Sequence, residues 1–307
     1  MIEFRTFPLT QGILPRTIYK YYLCKWDERG VVLPEAIRSG LSALLQEVVL
    51  RAGESPDQEG LYFRVDLYVD PACDIVYVLE VNACFVDGWG TALALSRAAG
   101  HAVVLAPEQF PRRWTVHNTS YHPEFELALR ELQIAGAGPL EALSWSDVLF
   151  GACVDPTYWY GQFRARNTHP DVWPYKGSVL DSKRWLAEVS KTWSHPMVRI
   201  PAFFDHTSHD WDVLPEEVVF KPVQKADATD TVKFRAEMGK GKAVKRRYGR
   251  GLMLAQERVP TFRLDSQPVQ LIVMCAGTTP VAGYTLIADP DASIINDSAS
   301  HGPLIFE

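Results

Sequence analysis

The chain has 307 residues, a length that indicates two domains or one large domain with an insertion. Hydrophobic residues make up 47% and charged residues 22%, which is a globular mix and excludes a disordered chain. The formal net charge of −6 gives no global electrostatic reason to bind nucleic acid.

The N-terminal sequence, MIEFRTFPLTQ, lacks the basic and then apolar pattern of a signal peptide. No uninterrupted apolar stretch approaches the roughly 18 residues that a membrane span needs. The five cysteines are an odd number without a CxxC pair. We therefore expect a reducing, cytoplasmic compartment and no membrane partner.

The first half of the chain alternates predicted helices with a hairpin. Apolar residues recur at helical spacing over 34–53, and Gly53 is suited to end that helix. LYFRVDLYV and IVYVLEVN flank a turn-like DPACD and predict a hairpin. TALALSRAAG and PEFELALRELQIAG predict two more helices, with a short buried strand at HAVVLAP between them. The segment 151–177, rich in aromatic residues and Pro, predicts a long loop-bearing region.

The pattern changes at Asp181. LDSKRWLAEVSKTW predicts a helix with Asp181 or Ser182 as its N-cap. Three short strands are predicted near RIPAFF, EEVVFKP and GLMLAQERVP, and a second hairpin over PVQLIVMCAGTTPVAGYTLIA. Because helices interleave with hairpins rather than with single strands, we predict an α+β fold with antiparallel sheets.

Four polar residues of the first hairpin stand at even positions: Arg64, Asp66, Glu80 and Asn82. Side chains alternate between the faces of a strand, so a register that pairs even with even places all four on one face. The other face would then carry an apolar set: Phe63, Val65, Leu67, Val69, Tyr77, Leu79 and Val81.

Asp66 and Glu80 would lie opposite or diagonal to each other, and like charges that close need a cation between them. Arg64 can supply it as an ion pair on a solvated sheet face. Alternatively, the two carboxylates and the amide oxygen of Asn82 form part of an oxygen shell for Mg²⁺.

The stretch FRVDLYVDPACDIVYVLEVNACF, continuing through TALALSRAAG, resembles the metal-binding segment of ATP-grasp ligases, and most of all that of D-alanine–D-alanine ligases. The resemblance implies that Asp66, Glu80 and Asn82 hold two Mg²⁺ ions against the phosphates of ATP, with Glu80 bridging both. It also implies that Arg64 faces the reacting carboxyl group and acts as a catalytic residue.

The second half contains residues that match the family's phosphate-binding lysines. Lys183 stands at a predicted helix start, and Lys221 ends an apolar strand before a proline. The resemblance implies that both bind phosphates, Lys221 with a catalytic role. It also makes AQERVP an adenine-binding hinge in which Gln256, Glu257 and Val259 present backbone groups.

Two departures from the family pattern concern nucleotide binding. The run KPVQKADATDTVKF after Lys221 lacks the glycines that often cap phosphate. Where many members have an acidic residue and an arginine after the hinge, this chain has Gln267 and Gln270. Asp265 and Gln267 are both candidates for the ribose contact.

The two halves stand in the reverse of the family order, and the C-terminal IINDSASHGPL resembles the segment that precedes the helix at 34–52. We therefore predict a circularly permuted ATP-grasp fold in which two antiparallel-sheet subdomains enclose the nucleotide. The segment near Pro303 should pack beside the segment before Pro34.

The predicted divisions are four. Residues 1–100 form the C-terminal half of the ATP-grasp fold with the metal hairpin. Residues 101–178 form an inserted, pre-grasp-like α/β substrate domain. Residues 179–260 form the lysine-bearing lobe, and residues 261–307 return to the metal-binding lobe.

From Lys233 to Arg250 the chain carries eight basic residues and one acidic residue. This stretch is a solvated loop, a lid, or a surface for an RNA or protein substrate. A lid would place Lys242, Lys245 or Arg246 on the ATP phosphates, with Gly239, Gly241 and Gly251 allowing closure.

Several isolated residues have weaker interpretations. Arg164, Arg166 and His169 are suited to grip a substrate carboxylate or to line a rim. Trp89 is a pocket wall or a core residue. Other candidates point to no site: His206 and His209 have no cysteine cluster for zinc, and Cys84 has no histidine partner for nucleophilic catalysis.

The leading hypothesis is an ATP-dependent carboxylate–amine ligase that works through an acyl phosphate with ATP and Mg²⁺ as cofactors, on small-molecule carboxylate and amine substrates. The alternatives are a phosphotransferase with a hydroxyl acceptor and a catalytically silent nucleotide-binding module. The glycine-free run after Lys221 favours the silent module.

Overall fold

The fold is described from a computed structural model. It covers residues 1–10, 12–16, 24–56, 61–83, 88–105, 113–116, 124–137, 141–143, 157–160, 172–173, 180–223, 233–234, 241–292, 295 and 298–307. Within that coverage, no helix is both long and apolar enough to cross a bilayer.

The elements follow the chain in three groups. The first is β1 (Glu3–Thr6), β2 (Arg29–Leu33), α1 (Glu35–Arg51), β3 (Tyr62–Val69), β4 (Val76–Asn82) and α2 (Trp89–Ala98). The second is β5 (Arg113–Val116), α3 (Glu124–Ile134), β6 (Glu141–Leu143), β7 (Thr157–Tyr160) and β8 (Val172–Trp173). The third is α4 (Lys183–Ser190), β9 (Val198–Arg199), β10 (Phe203–Phe204), a 3-10 turn (Trp211–Val213), β11 (Val218–Pro222), β12 (Lys233–Phe234), α5 (Lys242–Tyr248), β13 (Met253–Glu257), β14 (Arg263–Leu264), β15 (Gln267–Ala276), β16 (Thr279–Ile287) and β17 (Ser300–Phe306).

Three sheets organise these strands. The large sheet runs β1-β2-β17-β16-β15-β3-β4-β9, with β14 paired to β15, and its neighbours are antiparallel except β17–β2 and β4–β9. A small sheet, β10-β13-β11-β12, is antiparallel throughout. The third sheet, β6-β5-β7-β8, is parallel. The molecule is therefore a mixed α+β protein, as the alternation of helices and hairpins predicted.

Helices cover both faces of the large sheet. α1 and α4 pack together over one face, where the apolar residues predicted to line α1, such as Leu41 and Val48, are buried. α2 and α3 pack together over the other face. α1 ends as predicted: Gly53 has φ +79°, and its amide and that of Glu54 donate to carbonyls of the last turn, the pattern of a Schellman cap.

The β3–β4 hairpin has one feature that the sequence pattern missed. Its register pairs Arg64 with Asn82 and Asp66 with Glu80, then shifts beyond Asp66 so that Leu67 lies opposite Val78. The extra residue in β4 is Leu79, which makes a β-bulge. Past the bulge the parity reverses, so Val76 and Val78 are buried in the core instead of Tyr77 and Leu79.

The two ends of the described chain meet in the large sheet. β17 pairs in parallel with β2, with Leu304 opposite Val31, and the Glu307 carboxylate pairs with Arg5. The expected contact between the Pro303 segment and the segment before Pro34 is therefore present. Circular permutation itself and the domain boundaries at 100, 178 and 260 stay predictions.

One predicted strand is wrong within its described part. Residues 101–105 of HAVVLAP form no strand, and Val104 is 87% exposed. The Leu105 amide donates to the carbonyl of Ala135 beyond α3, and the Leu105 side chain packs with the α2–α3 core. A short apolar run at the edge of a helix pair has the same composition as a buried strand, which explains the error.

Candidate active site

A cleft of about 540 Å³ lies between the large sheet and the small sheet. The large sheet contributes Asp66, Tyr68, Glu80 and Gln270 to its walls, and the small sheet contributes Val219, Lys221 and Gln256. The chain that leaves β13, over residues 257–261, closes a third side. The cleft is large enough for a small-molecule ligand.

Strand alternation decides which side chains of the small sheet face the cleft. Lys221 and Gln256 point into it, whereas their neighbours Phe220 and Ala255 point the other way, into a core with Tyr248 of α5. Both polar side chains are almost fully buried. The predicted phosphate-binding lysine and the first hinge residue therefore share one surface.

Asp66 sits within a set of nitrogen donors. Arg64 donates to both of its carboxylate oxygens, from Nε at 2.9 Å and from Nη2 at 3.1 Å. Gln270 Nε2 donates to Oδ2 at 3.2 Å, and Asn82 Nδ2 lies 3.5 Å from Oδ1. The ion pair with Arg64 that we considered from the sequence is therefore formed, within β3 rather than across the strands.

Glu80 is the meeting point of the two lysines. Lys183 Nζ, from the start of α4, lies 3.1 Å from Oε1, and Lys221 Nζ, from β11, lies 3.7 Å from Oε2. The carbonyl of Leu79 at the bulge accepts from Lys221 Nζ at 2.9 Å and from Gln256 Nε2 at 3.1 Å. The bulge supplies this acceptor because the extra residue has no partner opposite it in β3.

The two buried lysines differ in their protonation equilibria. Burial lowers the pKa of Lys183, but the carboxylates of Glu80 and Asp181 outweigh burial and the net direction is upward. Burial also lowers the pKa of Lys221; Glu80 opposes this and the Lys183 ammonium adds to it, so the net direction is downward. Of the two, Lys183 is held more firmly in its charged form.

Asp181 connects the lysine helix to the carboxylate strand, a role that the sequence analysis missed. Ser182 occupies the N-cap position of α4, without a side-chain cap bond. The buried Asp181 Oδ1 instead accepts the amide of Ala83, directly after β4, at 2.9 Å. The Lys183 amide donates to the carbonyl of Val223, just beyond β11, at 2.9 Å. An aspartate two residues before the lysine was the available signal.

The predicted hinge lines the cleft with Gln256, Glu257 and Val259. The amide of Glu257 donates to Ala202 at 2.8 Å and that of Arg258 to Glu217 at 3.0 Å. Among the described residues of the hinge, the Val259 amide has no backbone acceptor, and Val259 lines the cleft.

The ribose candidates lie elsewhere. Asp265 is exposed in the β14–β15 turn, where it pairs with Arg29 at 3.1 Å, and Gln267 also accepts from Arg29. Neither is among the described residues that line the cleft, whereas Gln270 and Tyr68 are. Tyr68 shares the parity of Asp66 on β3, so strand alternation could have identified it.

The basic stretch does not form a lid in its described part. α5 packs through Val244 and Tyr248 on the face of the small sheet that is turned away from the cleft. Lys245 pairs with Asp212 at 3.1 Å, and neither Lys242 nor Arg246 lines the cleft. The three lid candidates lie outside the cleft here, because the helix forms on the back of the sheet, and the lid stays a prediction. Gly239 lies outside the described residues.

Of the remaining candidate residues, one lies in the core and the others lie outside the described residues. Trp89 is fully buried against Tyr62, with ring centroids 6.4 Å apart, and is a core residue. Arg164, Arg166, His169 and Cys84 lie outside the described residues.

The candidate metal ligands are two carboxylates and one side-chain amide of the β3–β4 hairpin. Within the described ranges, no group of three or more His, Cys, Asp or Glu side chains is placed to hold a metal ion, His206 and His209 included. Asp66 and Glu80 face each other across β3 and β4, with Asn82 two residues further on the same face. Two carboxylates and an amide fit Mg²⁺ when phosphate oxygens and water complete the shell.

No protein-family model matches this sequence, and no curated protein matches it. In three dimensions the chain is similar to a solved structure from Methylobacillus flagellatus KT that is provisionally described as a gamma-glutamylcysteine synthetase. The TM-score is 0.47 at 11% sequence identity, with 88% of this chain and 85% of that chain covered.

Proposed function

We propose that this protein is an ATP-dependent carboxylate–amine ligase of the ATP-grasp type. The observation that carries the proposal is the convergence of Lys183 and Lys221 on Glu80, opposite Asp66, beside a cleft of about 540 Å³. Residues far apart in the chain bring ammonium groups and carboxylates to one wall. Such an arrangement suits a nucleoside triphosphate with a divalent cation better than it suits a structural ion pair.

The cleft suggests one orientation for ATP. Adenine would lie against the hinge, where the Val259 amide can donate to a ring nitrogen. The phosphates would then extend toward Lys221 and Lys183, both of which are buried and charge-paired. Buried cations in a dry cleft stabilise phosphate charge more strongly than exposed ones.

Asp66, Glu80 and Asn82 would hold Mg²⁺. The resemblance to ATP-grasp ligases implies two such ions. When bound, Mg²⁺ neutralises phosphate charge and aligns the transferred group. Gln270 and Arg64, which both donate to Asp66, keep that carboxylate turned toward the cleft. In this proposal the anionic ligands line one wall, and the two ammonium groups lie beside Glu80.

The proposed reaction has two steps. A substrate carboxylate oxygen attacks the γ-phosphorus, the bond from that phosphorus to the bridging oxygen of ADP breaks, and ADP leaves. An amine then attacks the carbonyl carbon of the acyl phosphate, the carbon–oxygen bond to phosphate breaks, and the amine loses a proton as the amide forms. Lys221 stabilises the transferred phosphoryl group, and Arg64 stabilises the oxyanion of the tetrahedral intermediate.

A silent nucleotide-binding module is the second candidate. The glycine-free run after Lys221 favours it, because backbone amides that cap phosphate usually need glycine. Product analysis separates it, and the phosphotransferase, from a ligase.

The test is a screen of the purified chain with Mg-ATP against amino acids, dipeptides and RNA. It follows thermal stabilisation, phosphate release and product mass. ADP, phosphate and an amide product support the ligase. A stable phosphoester indicates a phosphotransferase, and nucleotide binding without turnover for any acceptor indicates the silent module. Absence of nucleotide-dependent stabilisation would overturn the proposed function.

A further inference from the structure

Every carboxylate oxygen of the candidate metal site already faces a nitrogen of the protein. Asp66 accepts from Arg64 at 2.9 Å on Oδ1 and at 3.1 Å on Oδ2. Glu80 Oε1 lies 3.1 Å from Lys183 Nζ, and Oε2 lies 3.7 Å from Lys221 Nζ. A cation that arrives alone would therefore have to compete with these nitrogens for each oxygen of the pair.

The local charges are already balanced before any cation arrives. Arg64, Lys183 and Lys221 carry three positive charges, and Asp66, Glu80 and the buried Asp181 carry three negative charges. All these side chains are buried or half-buried, so solvent screens them weakly. A divalent cation would therefore have to displace the two ammonium groups from the oxygens of Glu80.

A triphosphate changes this balance. Its oxygens are stronger acceptors for lysine than a peptide carbonyl is, and their negative charge can replace that of Glu80 as the partner of the two ammonium groups. Once Lys183 and Lys221 turn to phosphate, both oxygens of Glu80 become available as metal ligands.

We propose that Lys183 and Lys221 gate the metal site, so that a divalent cation binds to Glu80 only when nucleotide phosphates occupy the two lysines. The gate rests on the proposed function, since it assumes that the cleft binds a nucleotide. Because linkage is reciprocal, the cation raises nucleotide affinity by the same factor as the nucleotide raises cation affinity.

The direct test removes one lysine and measures metal binding without any nucleotide. In Lys183→Met, Glu80 loses its 3.1 Å partner, and the affinity for Mn²⁺ alone should rise about tenfold over the wild type. Free Mn²⁺ is counted by its electron paramagnetic resonance signal. Lys191→Met is the matched control, because Lys191 is exposed, follows the same helix and pairs with Glu188 at 2.8 Å.

A second variant locates the gained site. Adding Glu80→Gln to Lys183→Met should return Mn²⁺ affinity to the wild-type level. Unchanged Mn²⁺ affinity in a folded Lys183→Met protein would overturn the gate, and so would a gain that survives Glu80→Gln.

The wild-type protein provides a test that needs no variant. Calorimetry with AMP-PNP, a non-hydrolysable ATP analogue, should give affinity at least about fivefold higher in excess Mn²⁺ than in EDTA. Equal affinities would overturn the gate. If AMP-PNP fails to bind under both conditions, the proposed function fails instead, and the Mn²⁺ titration of Lys183→Met still tests whether the lysines block the metal site.

Discussion

At the scale of single residues, the charge of Glu80 is divided between two ammonium groups that come from different parts of the chain. Asp66, directly opposite, is bound by Arg64 instead. Because each carboxylate has its own cationic partners, the two can lie on one sheet face without strong repulsion. Removing the charge of Glu80 therefore affects the ion pairs with both lysines and also the binding of a divalent cation that enters with the nucleotide.

Glu80→Gln should abolish Mg-dependent ATP turnover while the protein stays folded. The amide keeps one acceptor for Lys183 but supplies no charge, so the free energy of unfolding should fall by about 1–3 kcal/mol. Phosphate release and urea denaturation measure the two effects. Glu188→Gln, on the exposed face of α4, should change neither. Turnover close to wild type in Glu80→Gln would remove this residue from the site.

His301 predicts a pH dependence of stability. It is buried between Trp26 and Tyr284, and burial lowers its pKa from 6.5 to about 4 against an opposing hydrogen bond with the Ala299 backbone. Between these two pKa values the unfolded chain binds more protons than the native protein, so stability rises with pH. The contribution of the neutral His301 to the free energy of unfolding is fully present above pH 6.5. It falls by about 3 kcal/mol as the pH drops toward 4.

His301→Phe should remove most of this dependence, because an apolar ring keeps the packing and has no proton to bind. Urea denaturation at pH 4.5 and at pH 7 compares the slopes. His101→Asn, at an exposed histidine, should leave the slope as in the wild type. An unchanged slope in His301→Phe would assign the pH dependence to other groups.

At the scale of elements, the start of α4 joins three pieces of backbone. Asp181 binds the amide after β4, and the Lys183 amide binds the carbonyl after β11. These two hydrogen bonds fix the backbone of Lys183, whose side chain contacts Glu80. The helix start therefore holds the large sheet and the small sheet in the relation that creates the cleft.

Asp181→Ala and Asp181→Asn should differ. The alanine variant leaves the buried Ala83 amide without its acceptor, and the free energy of unfolding should fall by about 1–3 kcal/mol, together with most AMP-PNP-dependent stabilisation. The asparagine variant keeps an oxygen acceptor and should retain most of both. Thermal melts with and without AMP-PNP measure the effect. Equal losses in the two variants would show that the charge of Asp181, rather than its hydrogen bond, matters.

At the scale of the whole molecule, the large sheet is completed by its last strand. β17 lies between β16 and β2 in the sheet, and Arg5 pairs with Glu307 beside it. The first and last described strands, β1 and β17, are therefore separated in the sheet only by β2. This proximity is what a circularly permuted arrangement requires.

A re-permuted chain tests this arrangement. Joining Glu307 to Met1 through a flexible Gly/Ser linker and opening the chain between residues 178 and 179 restores the family order of the halves. All cleft residues stay in place, so the permutant should melt within a few degrees of the wild type, about 2–4 °C, and keep AMP-PNP-dependent stabilisation. Opening the same linked chain at Gly277, inside the β15–β16 hairpin, should destabilise it strongly. Loss of folding in the first permutant would contradict the arrangement.

Local patterns in the sequence determined most of the individual elements. The helical spacing of α1, the parity of Arg64, Asp66 and Asn82, and the position of Lys221 at a strand end all follow from period and alternation. These are properties of a few adjacent residues, since each side chain's direction follows from its own backbone. The carboxylates and lysines of the candidate site could therefore be listed from the sequence, whereas Asp181 and Tyr68 could not be found from the same patterns as they were applied.

Tertiary structure alone decided how those pieces face each other. The bulge at Leu79, the burial of Asp181 and the turn of α5 away from the cleft depend on which surfaces pack together. The hydrophobic periodicity of a helix or strand shows only which of its faces is apolar. Strand register and packing between distant segments determine which surface that face contacts. For this reason Lys183 and Lys221 could be named in advance, but their meeting at Glu80 required the fold.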